Sequence, residues 1–185
     1  MRTLRLCLCF WLAIGAIACA SAPAVSPAAS LPAYGAEDAA LIDDGLSGHL
    51  FETAFVPGIA GEDPHFRDRV LRAEAIWLVK VATVSREGSE GSLGSNRSYG
   101  LSLRPLESLA GSLPNEPISL TISGKDPAFH WLDRVGGAWV GHEMVLMVRH
   151  YRVGDQTALH FHGEPNSAAL RAQILEIRQA PPARK

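Results

Sequence analysis

Cysteine is almost missing from this chain of 185 residues, and all of it lies at one end. The three cysteines are Cys7, Cys9 and Cys19, and none follows them. The chain after residue 19 therefore cannot form an internal disulfide or use a thiolate as a nucleophile. A domain that avoids cysteine in this way is typical of a compartment that oxidises free thiols.

Positive charge is also scarce. The chain has 17 basic and 19 acidic residues, a formal net charge of −2, and its only lysines are Lys80, Lys125 and Lys185. Recognition of a phosphate backbone depends on clustered positive charge. The composition therefore excludes nucleic acid as a partner.

The chain lacks an apolar run long enough to cross a membrane. Its longest run, Leu6 to Ala18, has 13 residues, whereas a transmembrane helix needs about 20. Arg2 and Arg5 precede the run, and small residues close it. This order is typical of an export signal, and residues 1–18 are predicted to be one.

The segment Ala16-Ile17-Ala18-Cys19 resembles the lipobox of bacterial lipoproteins. The resemblance implies that Cys19 becomes the first residue of the mature chain and carries lipid. Because Ala20 follows it instead of Asp, the resemblance also implies sorting to the outer membrane. The predicted location is therefore that of an exported, periplasmic or outer-membrane-anchored lipoprotein. The alternative is ordinary cleavage after Ala20, which would leave a secreted or soluble periplasmic protein starting at Ser21. A lone thiol in an exported chain is a liability unless it is modified, which favours the lipid.

Composition divides the remaining chain into segments. Residues 20–32 are almost all Ala, Ser and Pro and are predicted to form an extended tether. The predicted layout is a signal peptide (1–18), a lipid-attachment cysteine with its tether (19–35), an N-terminal helical extension (36–74) and a β-domain with a C-terminal helix (75–185).

Five strands are predicted, with one short helix between the third and the fourth. Alternation of apolar and polar residues is clearest where Ile118, Leu120 and Ile122 are separated by Ser and Thr. The predicted strands are 76–84, 99–103 (ended by Pro105), 118–123, 139–151 and 157–162. Asp63-Pro64, Asp126-Pro127 and Ser167 are predicted to begin helices. This is the element order of an OB-fold, so the predicted class is mainly β with flanking helices, a small five-stranded OB-like antiparallel barrel. Another small antiparallel barrel or sandwich stays open as the alternative.

Three segments carry a more specific resemblance: the predicted strand from Ile76 to Val84, the segment from Leu101 to Leu106 that leads to Gly111, and the segment from Trp139 to Met147. Together they resemble a divergent bacterial form of the netrin-like domains related to the tissue inhibitors of metalloproteinases. The resemblance covers residues 75 to about 162 and implies an OB-like barrel. Inhibition through an N-terminal cysteine and disulfides is not implied, because this region contains no cysteine.

His160, His162 and Glu164 form the candidate metal site. Residues two apart on a strand share a face, so both imidazoles are expected on one side with Glu164 beside them, as in a zinc or copper site. A two-residue turn before this strand would place Arg149 opposite His160 and Met147 opposite His162, which supplies no third ligand. The alternative is that this face of the strand is exposed to solvent and that the histidines only cover the sheet there, without binding a metal. Trp131, on the short helix, is a candidate contact for a ligand.

No catalytic signature is present: the chain has no G-x-S-x-G elbow, no G-x-G-x-x-G and no phosphate loop. We therefore expect no enzyme activity and no cofactor. The predicted function is a membrane-anchored exported lipoprotein that serves as a non-catalytic binding module for a protein or other component of the cell envelope. The alternatives are a periplasmic metal-binding or metal-delivery protein that uses His160 and His162, and an unrecognised hydrolase.

Overall fold

A computed structural model describes residues 30–51, 63–88 and 97–180. Cys19, the predicted signal and most of the predicted tether lie outside the described residues. Within the described ranges, no helix combines the length and the apolar character needed to span a membrane.

One mixed sheet of six strands forms the body of the described chain. The strands are β1 (Gly45–Leu46), β2 (Ala75–Glu87), β3 (Ser98–Ala110), β4 (Ile118–Ser123), β5 (Glu143–Val153) and β6 (Gln156–Pro165). Their spatial order is β1-β6-β5-β2-β3-β4, and the sheet curls into a half-barrel with β1 and β4 at its edges. Every pairing is antiparallel except that of β1 with β6, which is parallel.

The predicted fold class is therefore confirmed in its β content and corrected in detail. The sheet is not a five-stranded antiparallel barrel: it has a sixth strand, one parallel pairing and an open side. The sixth strand is the two-residue β1, which hydrogen bonds to the outer edge of β6. A two-residue strand carries no alternation that a sequence pattern could indicate.

Within the described ranges, four α-helices accompany the sheet: α1 (Ala36–Ala39), α2 (Phe66–Arg72), α3 (Pro127–Val135) and α4 (Ala168–Gln179). Helix α3 lies between β4 and β5, as predicted, because the Asp126 carboxylate accepts the Ala128 N–H and Pro127 supplies the first turn. Helix α4 begins after Ser167, whose hydroxyl oxygen accepts the Leu170 N–H. These two predicted caps are confirmed. The third predicted helix start, Asp63-Pro64, is wrong: α2 begins at Phe66 with His65 at its N-cap, and the Asp63 carboxylate accepts the His65 N–H in the turn before it.

The two largest differences from the predicted strand boundaries are the end of β3 and the start of β5. Strand β3 continues through Pro105 to Ala110, because the β2–β3 register shifts between Leu78 and Val79 and Pro105 lies at that bulge. Strand β5 begins at Glu143, since a 3-10 turn at Gly136–Trp139 precedes it and buries the Trp139 side chain.

The sheet is covered on both faces, which explains why β2 is apolar along its first half. Trp77 faces a concave cluster shared with Leu101, Leu132 and Phe161. Ile76, its neighbour, faces a convex cluster in which α2 and α4 pack against the sheet. The convex cluster is where the predicted histidine site lies.

Candidate functional site

The β5–β6 hairpin brings the predicted site residues to one face. Its tight turn is at Gly154–Asp155, and the register pairs Arg149 with His160 and Met147 with His162, as predicted. The side chains of His160, His162 and Glu164 therefore share the convex face. The solvated alternative is wrong: His162 and Glu164 are each only 6% exposed. Helix α2 and the segment before β1 cover them.

His162 is held between two carboxylates. Its Nδ1 lies 2.7 Å from Asp43 Oδ1, and its Nε2 lies 3.0 Å from Glu164 Oε1. Burial disfavours the charged ring, but the two hydrogen bonds outweigh burial, and the pKa of His162 is raised. Because each nitrogen faces an acceptor, the doubly protonated imidazolium satisfies both contacts.

Arg69 extends this pairing into a network of alternating charge. The buried guanidinium, on α2, pairs with Asp63 and lies 3.5 Å from Glu164 Oε1, while its Nε donates to the Leu41 carbonyl at 2.6 Å. The order Asp43–His162–Glu164–Arg69–Asp63 thus alternates negative and positive groups. This charge network ties two separate segments of the chain, the one before β1 and the one that contains α2, to β6.

His160 has a different set of partners. Its Nδ1 lies 2.7 Å from Asp44 Oδ2, and the Tyr34 ring stacks on the imidazole with centroids 3.6 Å apart. Tyr151 contacts the same imidazole edge-on at 5.5 Å. The remaining nitrogen, Nε2, is buried and has no hydrogen-bond partner among the described residues. Burial and the nearby carboxylate of Asp44 raise the pKa of Tyr34 to about 12, so its hydroxyl stays protonated.

The predicted metal ligands His160, His162 and Glu164 already form hydrogen bonds with other side chains of the protein. A metal on His162 would have to displace either Asp43 or Glu164, and His160 offers only an enclosed nitrogen. Across residues 30–51, 63–88 and 97–180, no group of three or more His, Cys, Asp or Glu side chains is arranged to hold a metal ion. The contacts of His162 with Asp43 and Glu164, together with that of His160 with Asp44, hold the chain before β1 against β6 and are called the clamp below.

An open groove lies beside the clamp, where the half-barrel fails to close. The groove has a volume of about 750 Å³ and runs between β4 on one side and β6 on the other. Its floor is apolar and is formed by Leu120, Leu159 and Phe161. The end of the groove nearest to the start of α3, called the upper end here, carries charged side chains from the chain before β1 and from the start of α3.

Three carboxylates and one ammonium group meet at that upper end. Asp43, Asp44 and Asp126 line it together with Lys125. Gly45 makes the approach possible, since a Cβ there would lie 3.1 Å from both the Asp126 and the Asp43 carboxylates. Burial raises the pKa of Asp126, and the negative charges of Asp43 and Asp44 raise it further. The acidic end of the groove therefore has an excess of negative charge.

The open side of the half-barrel between β4 and β6 is called the seam. A second cavity, of about 550 Å³, continues the groove at the opposite end of this seam. It is lined by Trp77, Ile118, Val148 and Leu159 among others. Leu159 lines both cavities, so the open seam of the barrel is accessible along its length.

Trp131 does not line either cavity. Its ring is half-buried on α3, and the Arg134 guanidinium lies 4.4 Å above it. The Trp131 ring is thus in contact with a neighbouring cation, and its role as a ligand contact stays a prediction.

Asp43, Asp44 and Arg69 are the residues of the site that sequence reasoning missed. No motif in the local sequence marks the Asp pair, whereas both carboxylates bind histidines more than 100 residues away. The only signal was indirect: buried histidines require hydrogen-bond partners, and an Asp-Asp pair was available upstream.

No protein-family model matches this chain, and no curated protein or solved structure matches it either.

Proposed function

We propose that this protein is an exported, non-catalytic binding module of the cell envelope, anchored through lipid on Cys19, whose ligand site is the open groove between β4 and β6. The observation that carries the proposal is the groove itself. It combines an apolar floor with a charged end, the combination typical of ligand sites.

The neighbouring histidines support a binding role over catalysis. A general base needs a nitrogen within reach of substrate, but His162 donates to two carboxylates and the free nitrogen of His160 is enclosed. The same contacts disfavour the alternative of metal delivery through His160, His162 and Glu164. The clamp instead fixes Asp43 and Asp44 at the groove.

The strand order supports an OB-like origin for the domain. Strands β2 to β6, with α3 between β4 and β5, follow the element order of that barrel. We propose the same relation to netrin-like domains that the sequence resemblance implies, without inhibition of metalloproteinases as a function.

Site-specific photocrosslinking in intact cells tests the proposal. A photoreactive amino acid replaces Thr121, at the rim of the groove, in one variant and Arg104, an exposed residue that does not line the groove, in a control variant. We expect a discrete adduct from position 121 that is absent from position 104. The same adducts from both positions, or none from either, would refute a ligand site in this groove.

A further inference from the structure

We infer that the groove takes an extended peptide, which adds as a strand along β4 and places a basic residue near its own N-terminus against the acidic end. This inference rests on the proposed function and names the class of ligand for the same site. Three features of the described residues carry it: the backbone groups along both rims, the direction of the two rim strands and the position of the carboxylates.

The rim formed by β4 presents unpaired backbone groups. The Gly124 N–H donates to the Arg97 carbonyl at 2.8 Å, which makes this a hydrogen-bonded pair of the β3–β4 ladder. Hydrogen-bonded and non-hydrogen-bonded pairs alternate along an antiparallel ladder. The N–H and C=O groups of Ser119 and Thr121 therefore point away from β3 and into the seam, where no strand of the described chain pairs with them.

The rim formed by β6 is similar in its first half. The Phe161 N–H donates to Asp44 Oδ1, and its carbonyl accepts the Asp44 N–H, so its backbone groups point away from β5. By the two-residue period of a strand, those of Thr157 and Leu159 point the same way. Strand β1 pairs only with His162 and Gly163, so the edge of this first half of β6 that faces away from β5 has no strand neighbour among the described residues.

A peptide strand is the ligand that matches two such rims. Addition of a strand to an open sheet edge gains affinity from main-chain hydrogen bonds and specificity from alternate side chains. Inward side chains would contact the apolar floor at Leu120, Leu159 and Phe161, while the outward ones would face solvent. The six residues of β4 match a peptide of about six residues.

The sheet also fixes the polarity of the peptide. Successive antiparallel pairings from β4 through β3, β2 and β5 to β6 leave β4 and β6 running in the same direction. The carboxylates lie at the C-terminal side of both rims, because Asp126 follows β4 and Asp44 binds His160 and Phe161. A peptide antiparallel to both rims, the slightly more stable pairing, brings its N-terminal residues to the acidic end.

Charge selects the residue there. Of the three carboxylates, Asp43 pairs with the His162 imidazolium, and Lys125 is the one ammonium group that lines this end, so a negative charge remains that favours Lys or Arg and disfavours Asp or Glu in the bound peptide. An extended peptide with an early basic residue is the partner that this end of the groove complements.

Two isomeric peptides test the inference by isothermal titration calorimetry with the mature protein. The probes are acetyl-Lys-Val-Thr-Val-Thr-Val-amide and acetyl-Val-Thr-Val-Thr-Val-Lys-amide, which have the same composition and no terminal charge. We expect the first to bind at least tenfold more tightly. Asp126→Asn keeps the cap on α3 but removes a charge, and should reduce this ratio several-fold.

A pair of variants separates backbone pairing from side-chain contact. Thr121→Pro removes the N–H at the free rim and should abolish binding of both peptides, whereas Thr121→Ala keeps the N–H and should retain it. If Thr121→Pro does not fold, the Asp126→Asn comparison still decides the role of the acidic end.

Several results would overturn the inference. Equal affinity of the two isomers contradicts the polarity, and full binding by folded Thr121→Pro contradicts strand addition. Absence of peptide binding at millimolar concentration, or a dimer seen by sedimentation that occupies the same rim, overturns the peptide as ligand. In those cases a groove-specific crosslink to a lipid, glycan or second copy would leave the proposed function standing, so the two failures are distinguishable.

Discussion

His162 is the residue on which the charge network depends. Its imidazolium lies between the Asp43 and Glu164 carboxylates, and Glu164 in turn lies beside Arg69. Removing one member of a buried ionic set leaves the others without compensation, which costs roughly 3–5 kcal/mol. We therefore expect that replacing one member of the network lowers the free energy of unfolding, because the charges that remain are buried without a partner.

We predict that His162→Gln lowers the free energy of unfolding by about 3 kcal/mol at pH 6, because Glu164 stays buried without its cationic neighbour on β6. The matched control is His142→Gln, at an exposed position just before β5, which should change stability by no more than about 0.5 kcal/mol. Urea denaturation of both variants measures the difference. Equal effects of the two substitutions would contradict the network.

The pH dependence of stability follows from the direction of the same shift. The folded state raises the pKa of His162, so the folded chain holds a proton that the unfolded chain releases above its own pKa of about 6.5. The stabilisation is complete below that pH and is lost as pH rises through the folded pKa. Wild-type stability should thus fall above about pH 6.5, and His162→Gln should remove most of this slope.

The carboxylates act in the opposite direction. Burial alone would raise the pKa of Asp43, but hydrogen bonding to His162 lowers it, and the His65 N–H and Arg69 lower that of Asp63. Their contribution is present above an unfolded pKa of about 3.9 and is lost as pH falls through the folded value. The two effects place maximum stability between these limits.

The partners of the histidines could not be predicted from the sequence, although their shared face could. Period-two alternation and a two-residue turn were sufficient to align His160, His162 and Arg149 correctly. The contacts to Asp43 and Asp44 join positions 119 and 116 residues apart. No local pattern encodes such a contact, and the burial of the face depends on α2 packing over it.

At the scale of elements, local chemistry decided what was predictable. Asp126-Pro127 and Ser167 begin helices through hydrogen bonds confined to a few residues, and both predictions are confirmed. Pro105 was expected to end a strand, but a bulge in the β2–β3 pairing accommodates it. The bulge depends on the partner strand, which the local sequence does not include.

Helix α4 supplies the element-scale prediction, because its cap holds a helix that covers the convex cluster. The Ser167 hydroxyl accepts the Leu170 N–H at 3.0 Å, and Leu170, Ile174 and Ile177 are buried. We expect Ser167→Ala to lower the free energy of unfolding by about 1 kcal/mol. Ser167→Asp, which keeps an acceptor at the cap, should stay close to wild type.

Urea denaturation with an unchanged m-value checks this prediction, since the slope reports the surface exposed on unfolding. Equal stability of the alanine variant and wild type would mean that the α4 contacts to the sheet hold the helix without its cap. A loss in Ser167→Asp as large as that in Ser167→Ala would indicate that the hydroxyl acts by some means other than accepting this bond.

At the scale of the whole molecule, the sheet is closed on its faces and open along one seam. Apolar clusters cover both faces of β2, yet β4 beyond its pairing with β3, and the first half of β6 beyond its pairing with β5, have no second strand neighbour in the described chain. Open strand edges are usually blocked by charge, bulges or covering segments. Here the carboxylates of Asp43, Asp44 and Asp126 lie at one end of the seam, where their charge would limit unspecific strand pairing if this edge binds a peptide as proposed.

The described chain enters this fold at the end opposite the carboxylates. The Arg152 N–H, next to the β5–β6 turn, donates to the Pro32 carbonyl at 2.8 Å. The first described residues therefore lie beside the β5–β6 turn and away from the acidic end of the groove.

Mass spectrometry of the mature N-terminus tests the proposed lipid anchor. We predict a chain that starts at a lipid-modified Cys19 and partitions with membranes, because each buried methylene of an acyl chain contributes about 0.8 kcal/mol and several chains hold durably. Cys19→Ser should move the protein out of the membrane fraction or leave its signal uncleaved.

Cys9→Ser is the matched control, since Cys9 lies within the predicted signal and should leave with it. This change should therefore alter neither the mature mass nor the partitioning. An unmodified chain starting at Ser21 would show that Cys19 is discarded with the signal, and the binding domain would then act free in its compartment.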